Sequence, residues 1–158
     1  MKRILVATDG SPAAMEAVTF GVELAAEHDS ELLFVHVVPA LDVVPAYGFG
    51  ALSAASPHEP SEHDRSLLVE AADAAAEQGI VATTVLLRGD TVDEIVAYAD
   101  SHDVDLIVAG SRGRGAIAGA LLGSVSRGLL DESKRPVLIV RATTELAATR
   151  PAPRAVPA

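Results

Sequence analysis

Glycines and small polar residues dominate the segment from Gly110 to Ser126, which reads GSRGRGAIAGALLGSVS. Gly110, Gly113, Gly123 and Ser124 follow the spacing G-x2-G-x9-G-[ST]. Glycine lets the backbone approach an anion closely, and a helix N-terminus adds free N–H groups and a favourable dipole. Because the segment lies between an apolar run and a predicted helix, its composition predicts a phosphate-binding loop.

A second polar feature, Thr8-Asp9-Gly10-Ser11, follows the first apolar run of the chain. A carboxylate at this position could accept hydrogen bonds from ribose hydroxyls or hold a cation. Alternatively, Asp9 is a turn residue that caps the next helix, a role that Ser11 could fill instead. We favour the ligand-binding interpretation for Asp9.

Two arginines, Arg112 and Arg114, lie inside the glycine-rich segment. They are either solvated loop charges or charge-assisted contacts to phosphate oxygens. The histidines show no comparable pattern: His36 is interpreted as a core or strand-end residue, and the spacing of the others predicts no metal cluster and no catalytic triad.

Other interpretations of the glycine-rich segment fit less well. The Walker pattern G-x4-G-K-[ST] is absent, and no lysine lies near the segment. Gly113-x-Gly115-x-x-Ala118 resembles a dinucleotide fingerprint, but that fingerprint belongs after the first strand and this segment follows the fourth. A glycine-rich connection that binds nothing remains as the third alternative.

The elements that must position these residues alternate between strands and helices. Apolar runs predict strands at 3–8, 31–38, 80–88, 105–109 and 136–141. Helical patterns begin at Pro12, Ser61, Thr91 and residue 124, and Thr91-x-x-Glu94 predicts a capping box. Four prolines and few charges predict one long loop over 39–60.

This order predicts an α/β fold with a single doubly wound, five-stranded parallel sheet of strand order 3-2-1-4-5 and helices on both faces. Ligands of such sheets bind at the carboxyl ends of the strands, where the strand order reverses. Asp9 after the first strand and the glycine-rich segment after the fourth are both expected there. Two independent features therefore predict the same crevice.

Length, charge and composition narrow the class of protein. The 158 residues predict one domain over 1–141, followed by a proline-containing, disordered tail over 142–158. The absence of cysteine excludes disulfides and thiolate metal sites. A net charge of −10 argues against nucleic acid as a partner. No apolar run is long enough for a membrane span or a signal peptide, so we expect a cytoplasmic protein.

The segment 110–126, together with KRILVATDGS at 2–11 and RPVLIVR at 135–141, resembles the ATP-binding branch of the universal stress protein family. The resemblance implies a Rossmann-like fold of the adenine nucleotide alpha hydrolase type, with ATP as ligand, assisted by Mg or Mn at Asp9. It also implies a homodimer through residues 136–141. It places phosphates, ribose and adenine on Ala7, Thr8, Asp9, Val38, Gly110, Ser111, Arg112, Gly113, Arg114, Gly115, Gly123, Ser124, Val125 and Ser126.

By this resemblance the protein is a stress-response or signalling module whose output is a nucleotide-dependent conformation. The alternative is a slow ATP hydrolase or adenylyl-transferring enzyme on the same fold. The lack of a lysine, a histidine base or paired carboxylates at the loop argues against efficient phosphoryl transfer. A signalling receiver would need paired acids after the first strand and a lysine after the fifth, whereas Asp9 is single and Lys134 precedes the fifth strand.

Overall fold

The computed structural model describes residues 1–44, 54–115 and 121–142. It contains seven strands and four helices in these residues. The strands are β1 (Arg3–Ala7), β2 (Glu31–Val38), β3 (Leu41–Val44), β4 (Ala54–Pro57), β5 (Ala82–Arg88), β6 (Leu106–Gly110) and β7 (Val137–Val140). The helices are α1 (Pro12–His28), α2 (Glu62–Glu77), α3 (Thr91–Ser101) and α4 (Ser124–Glu132). The predicted tail lies outside the described residues except for Ala142.

The main sheet has five parallel strands in the order β5-β2-β1-β6-β7. Counting only the five predicted strands, this order is 3-2-1-4-5, so the predicted doubly wound fold is confirmed. The central strand β1 pairs with β2 on one side and β6 on the other, with Ala7 opposite both Val35 and Ala109. The strand order therefore reverses at β1, and the crevice lies between the ends of β1 and β6.

The segment 39–60 differs from the single long loop that the sequence predicts. It contains the antiparallel pair β3–β4, with Leu41 opposite Pro57 and Val44 opposite Ala54. Prolines and the absence of a long apolar run concealed these strands, because a short hairpin is stabilised by its cross-strand pairing rather than by a strong local pattern.

Each face of the main sheet buries its own apolar cluster. Helices α1 and α2 cover one face around Val6 and Phe34, and helices α3 and α4 cover the other around Leu5 and Ile107. Successive residues of a strand point to opposite faces, so the unbroken apolar runs supply both clusters. Among the helices of the described ranges, none is both long and apolar enough to cross a bilayer.

Three of the four helices begin with a side-chain cap. The Ser11 hydroxyl accepts from Ala14 N in α1, and Ser61 forms a reciprocal capping box with Asp64 in α2. At α3 the cap is Asp90, whose carboxylate accepts from the backbone N–H groups at 92 and 93. The predicted capping box at Thr91 is therefore wrong: the helix begins at Thr91, and Asp90, one residue earlier, is the N-cap.

The first turn of α1 lies directly against the end of β6. A Cβ atom added at Gly110 would lie 2.6 Å from both the carbonyl carbon of Ala13 and the nitrogen of Ala14. These are backbone atoms that cannot rotate away, so the packing of α1 on the sheet requires glycine at this position.

We expect Gly110→Ala to lower the free energy of unfolding by about 1–3 kcal/mol, the usual cost of overpacking. The matched control is Gly115→Ala, because a Cβ atom there meets no described atom within 4 Å. Urea denaturation of both variants and the parent measures the difference. Equal midpoints for the two variants would show that α1 and β6 separate at little cost.

A second prediction concerns the capping box of α2. Hydrogen bonds from the Ser61 hydroxyl and backbone N–H, with a smaller contribution from His36, lower the pKa of Asp64 to about 2 from an ordinary 3.8, against the opposing effect of burial. A carboxyl group whose pKa is depressed on folding stabilises the protein above its unfolded pKa, and this stabilisation is lost as the pH falls through the folded pKa. We expect Asp64→Ala to cost about 1 kcal/mol at pH 7.

The cost should shrink as the pH falls from about 4 towards 2, because the parent protein then loses the same charge. Asp73→Ala, an exposed change on the same helix, is the control. Denaturation curves at a series of pH values decide the matter, and a cost that is independent of pH would contradict the capping role of the ionised carboxylate.

Candidate functional site

A cavity of about 450 Å³ opens at the carboxyl ends of β1, β2 and β6. All the predicted site residues except Val38 and Ser111 line it: Ala7, Thr8, Asp9, Gly110, Arg112, Gly113, Arg114, Gly115, Gly123, Ser124, Val125 and Ser126. The lining also includes residues that the sequence did not single out for this site: Ala14, Val35, His36, Val37, Thr91, Ile95, Ala109, Leu122 and Arg127. The structure thus brings the turn after β1 and the glycine-rich loop together.

The Asp9 carboxylate joins the turn after β1 to the glycine-rich loop. Its Oδ1 accepts from Ser11 N at 3.0 Å, and its Oδ2 accepts from Arg114 N at 2.9 Å. A Cβ atom at Gly113 would lie 2.5 Å from the same Oδ2, so glycine there permits the approach. Ser11 caps α1 and also donates its hydroxyl proton to the carbonyl of Arg112 at 3.1 Å. The helix-capping role therefore belongs to Ser11, and Asp9 holds the loop.

The opposite end of the loop is fixed through Ser111, which is fully buried. Its N–H donates to the carbonyl of Val140 at 2.6 Å, and its carbonyl accepts from Gly123 N at 2.8 Å. The Ser126 hydroxyl donates to the carbonyls of Ser111 at 3.0 Å and Gly110 at 2.8 Å. The side chain of Ser126 thus fastens the loop to the start of α4, a role that the sequence pattern did not reveal.

The N-terminus of α4 carries no side-chain cap among the described residues. Gly123 is its N-cap residue and has no side chain that could accept from the first-turn N–H groups. Ser124, Val125 and Ser126, which supply those N–H groups, line the cavity. An uncapped helix start that faces a cavity is a site for an anion, because its N–H groups are free and the helix dipole is favourable.

Positive side chains surround the same part of the cavity. Arg112, Arg114 and Arg127 line it, against one acidic residue, Asp9, in the described lining. This local excess of positive charge contrasts with the net charge of −10 for the whole chain. The electrostatics of the loop therefore favour a negatively charged ligand.

The part of the cavity nearest α3 is apolar. Ala7, Val35, Val37 and Ala109 line it from the sheet, and Ile95 lines it from α3. All five belong to the cluster between the sheet and the helices α3 and α4. A flat, mostly apolar group fits this part, whereas a charged group fits the loop.

The resemblance places Val38 beside the ligand, but its side chain does not belong to the described lining of the cavity. Its side chain is buried outside the described lining, and its carbonyl accepts from Gly89 N at 2.9 Å. The preceding residue, Val37, lines the cavity instead. Strand alternation alone does not explain the difference, because Val35, His36 and Val37 are consecutive and all three line the cavity.

His36 is a buried residue of the cavity that the sequence left in the core. Its Nδ1 lies 2.8 Å from the carbonyl oxygen of Thr8, and its Nε2 lies 3.3 Å from Oδ1 of Asp64. Both ring nitrogens face oxygen acceptors, so His36 joins β1, β2 and α2 rather than offering a free base. Its place near the end of β2 was the one signal that could have placed it at the crevice.

A second histidine contacts the glycine-rich loop from α2. Nη2 of Arg114 lies 2.5 Å from Nε2 of His63. Arginine only donates hydrogen bonds, so His63 accepts through an unprotonated Nε2. The first turn of α2 thus contacts two residues of the cavity lining, Arg114 through His63 and His36 through Asp64.

A cation could be held here only with help from a ligand. The described residues bring together no group of three or more His, Asp or Glu side chains that could hold a metal ion. Each Asp9 oxygen that accepts a backbone N–H keeps a further lone pair. Magnesium is commonly bound by one or two carboxylates together with substrate phosphates, and a single Asp9 beside the loop fits that donor set.

Comparisons with known proteins agree with this architecture. The model of the universal stress protein family matches residues 1–141. Universal stress protein YxiE of Bacillus subtilis is 34% identical over 149 residues, covering 88% of this chain and 98% of that protein. Universal stress protein MJ0531 of Methanocaldococcus jannaschii is 32% identical over 142 residues, covering 89% and 82%.

Solved structures show the same fold. A universal stress protein in complex with cAMP superposes with a TM-score of 0.67 at 29% identity, covering 90% of this chain and 98% of that one. Universal stress protein UspA from Lactobacillus plantarum gives 0.65 at 26% identity, covering 89% and 97%. The family match over residues 1–141, the relatives above 30% identity and the shared sheet topology lead to one conclusion: this chain belongs to the universal stress protein family.

Proposed function

We propose that the crevice binds an adenine nucleotide, with its phosphates in the glycine-rich loop. The observation that carries the proposal is the uncapped N-terminus of α4, whose N–H groups face a cavity edged by glycines. The three other helices satisfy these groups with their own side chains. A phosphate group would supply the missing acceptors at α4.

ATP is the nucleotide that we favour. Three arginines against one aspartate in the described lining suit a ligand with several negative charges better than a cyclic monophosphate. The complex of a relative with cAMP makes the cyclic nucleotide the second candidate for the same crevice.

The apolar part of the cavity is where we put the adenine ring. Ala7 and Thr8 would lie beside it, with Val37 rather than the side chain of Val38 as the contact from β2. Asp9 and Gly115 would then approach the ribose, and Asp9 with phosphate oxygens would hold Mg or Mn. This arrangement keeps the charged end of the nucleotide at α4 and its flat end against the sheet.

Binding, with a conformational output, is favoured over catalysis. Efficient phosphoryl transfer needs a group that positions the nucleophile and further groups that stabilise developing charge. His36 lines the cavity with both ring nitrogens engaged. We infer a cytoplasmic stress-response module that signals by nucleotide occupancy and has no nucleic acid as partner.

We also propose a homodimer through residues 136–141. Among the described strands, β7 lies at the edge of the main sheet and pairs with β6 alone. Its side chains are half-buried and pack into both apolar clusters, Leu138 and Val140 into one, Val137 and Ile139 into the other. An open apolar edge favours pairing with another strand, and two copies around a two-fold axis would cover both edges.

The nucleotide prediction is tested at Gly123. A Cβ atom there would lie 3.5 Å from the Cα of Arg112, so the fold accepts a side chain, but valine would project into the loop. We expect Gly123→Val to weaken ATP binding by more than about a hundredfold, because two or more hydrogen bonds to a charged group are lost. Isothermal calorimetry with ATP, ADP, GTP and cAMP measures the affinities.

The control is Ala97→Val, which introduces the same valine side chain on the exposed side of α3. Thermal unfolding shows whether both variants are folded. Mass spectrometry of ligand released from the denatured parent protein identifies any nucleotide carried through purification. Tight ATP binding by Gly123→Val, or no binding of any nucleotide by the parent, would refute the proposal.

The dimer prediction is tested by light scattering at low micromolar concentration. We expect the parent to show about twice the monomer mass of 16.2 kDa and Leu138→Asp to shift the mass to that of a monomer, because the charge would be buried without a partner. Thr83→Asp, on the exposed side of the opposite edge strand β5, is the control. A monomeric parent would exclude this arrangement, and circular dichroism confirms that each variant is folded.

A further inference from the structure

Thr91 is a polar residue of the crevice that the phosphate and ribose contacts do not use. It is the first residue of α3, it is half-buried, and it lines the cavity. Ile95, one turn further along α3, lines the cavity beside it, and Val35 and Val37 line it from β2. Thr91 is therefore a hydroxyl-bearing residue in a part of the cavity lining that is otherwise apolar.

The N-terminus of α3 is capped by Asp90 and not by Thr91. Oδ1 of Asp90 accepts from Val92 N at 3.0 Å and from Asp93 N at 3.3 Å. The capping role that the pattern Thr91-x-x-Glu94 predicts is thus already filled one residue earlier. Among the described residues, no partner accepts from or donates to the Thr91 hydroxyl.

A hydroxyl group in this apolar part of the cavity would lie beside any flat ring that binds there. A bound ring would displace water from this wall and leave the hydroxyl without a partner unless the ring supplies one, and an unpaired buried polar group is costly. Purine edges carry several acceptors, and adenine adds an amino donor. A hydroxyl can both donate and accept, so it can pair with either.

We propose that the Thr91 hydroxyl hydrogen-bonds the edge of the purine base, so that the crevice binds a purine nucleotide more tightly than a bare phosphate chain; this rests on the proposed function. The phosphate loop and Thr91 then contact opposite ends of one ligand. The loop supplies charge recognition that any nucleotide could satisfy, whereas Thr91 supplies recognition that a bare phosphate chain cannot use.

The test compares ATP with inorganic tripolyphosphate, which has the phosphates and lacks the base. We expect Thr91→Val, which removes the hydroxyl and keeps the shape, to weaken ATP binding about fivefold to tenfold, the effect of one hydrogen bond between uncharged groups. Binding of tripolyphosphate should be unchanged. Thr91→Ser, which restores the hydroxyl, should recover ATP affinity, and Thr83→Val on the exposed side of β5 should have no effect.

The outcomes separate this inference from the proposed function. If the parent binds ATP and Thr91→Val binds it equally well, Thr91 does not contact the base. If Thr91→Val loses ATP and tripolyphosphate alike, the residue acts on the loop or the fold, and the inference also fails. If the parent binds no nucleotide, the proposed function itself is wrong. Thermal unfolding of each variant shows that the comparison is made between folded proteins.

Discussion

The close packing of the end of β6 against the first turn of α1 is the constraint on which the crevice depends. Gly110 has no Cβ atom, and the backbone of Ala13 and Ala14 occupies the space where one would lie. Because the two elements touch there, the chain that leaves β6 passes beside the turn after β1. Asp9 and Ser11 can then bond to the backbone at Arg114 and Arg112. A larger residue at 110 would move the loop away from the groups that hold it.

The crevice has an apolar part, formed by the sheet, and a polar part, formed by the loop and the start of α4. Strand alternation turns small apolar side chains such as Ala7, Val35 and Ala109 towards α3 and α4, which makes one part a flat, dry wall. The loop and the start of α4 contribute backbone N–H groups and arginines at the other part. The loop hydrogen bonds of Ser111 and Ser126 are made within the loop and its flanks, and among the described residues none of them uses the first-turn N–H groups of α4. An amphipathic ligand with an anionic end fits both parts at once.

The first turn of α2 connects the crevice to the segment that precedes it. Asp64 closes the capping box with Ser61 and also contacts His36, so one carboxylate joins the helix start to the wall of the cavity. His63 accepts from Arg114 of the glycine-rich loop. Burial raises the pKa of Asp64 and the Ser61 hydrogen bonds lower it more, which keeps the carboxylate ionised as this junction requires.

Local patterns in the sequence determined much of this protein. Unbroken apolar runs predicted the five strands of the main sheet, and the alternation with helices predicted their parallel order, because right-handed crossovers leave few topologies. The spacing of Gly110, Gly113 and Gly123 and the position of Asp9 predicted a shared crevice, since both follow strands that meet at the switch point. The bounds of the predicted main-sheet strands differ from the observed ones by at most two residues.

Only the tertiary structure decided which atoms are engaged and which are free. Ser126 and Thr91 both carry a hydroxyl group. The hydroxyl of Ser126 donates to a loop carbonyl, whereas that of Thr91 has no partner among the described residues, since Asp90 caps α3. Packing decides this difference, because it places the carbonyls and the cap. The position of His36 depends on the direction of its side chain on β2 and on the packing of α2 against it. Neither can be predicted from the residue type alone. Hydrogen bonds join atoms a few ångströms apart, and the residues involved here stand up to 105 positions apart in the chain, as Asp9 and Arg114 do.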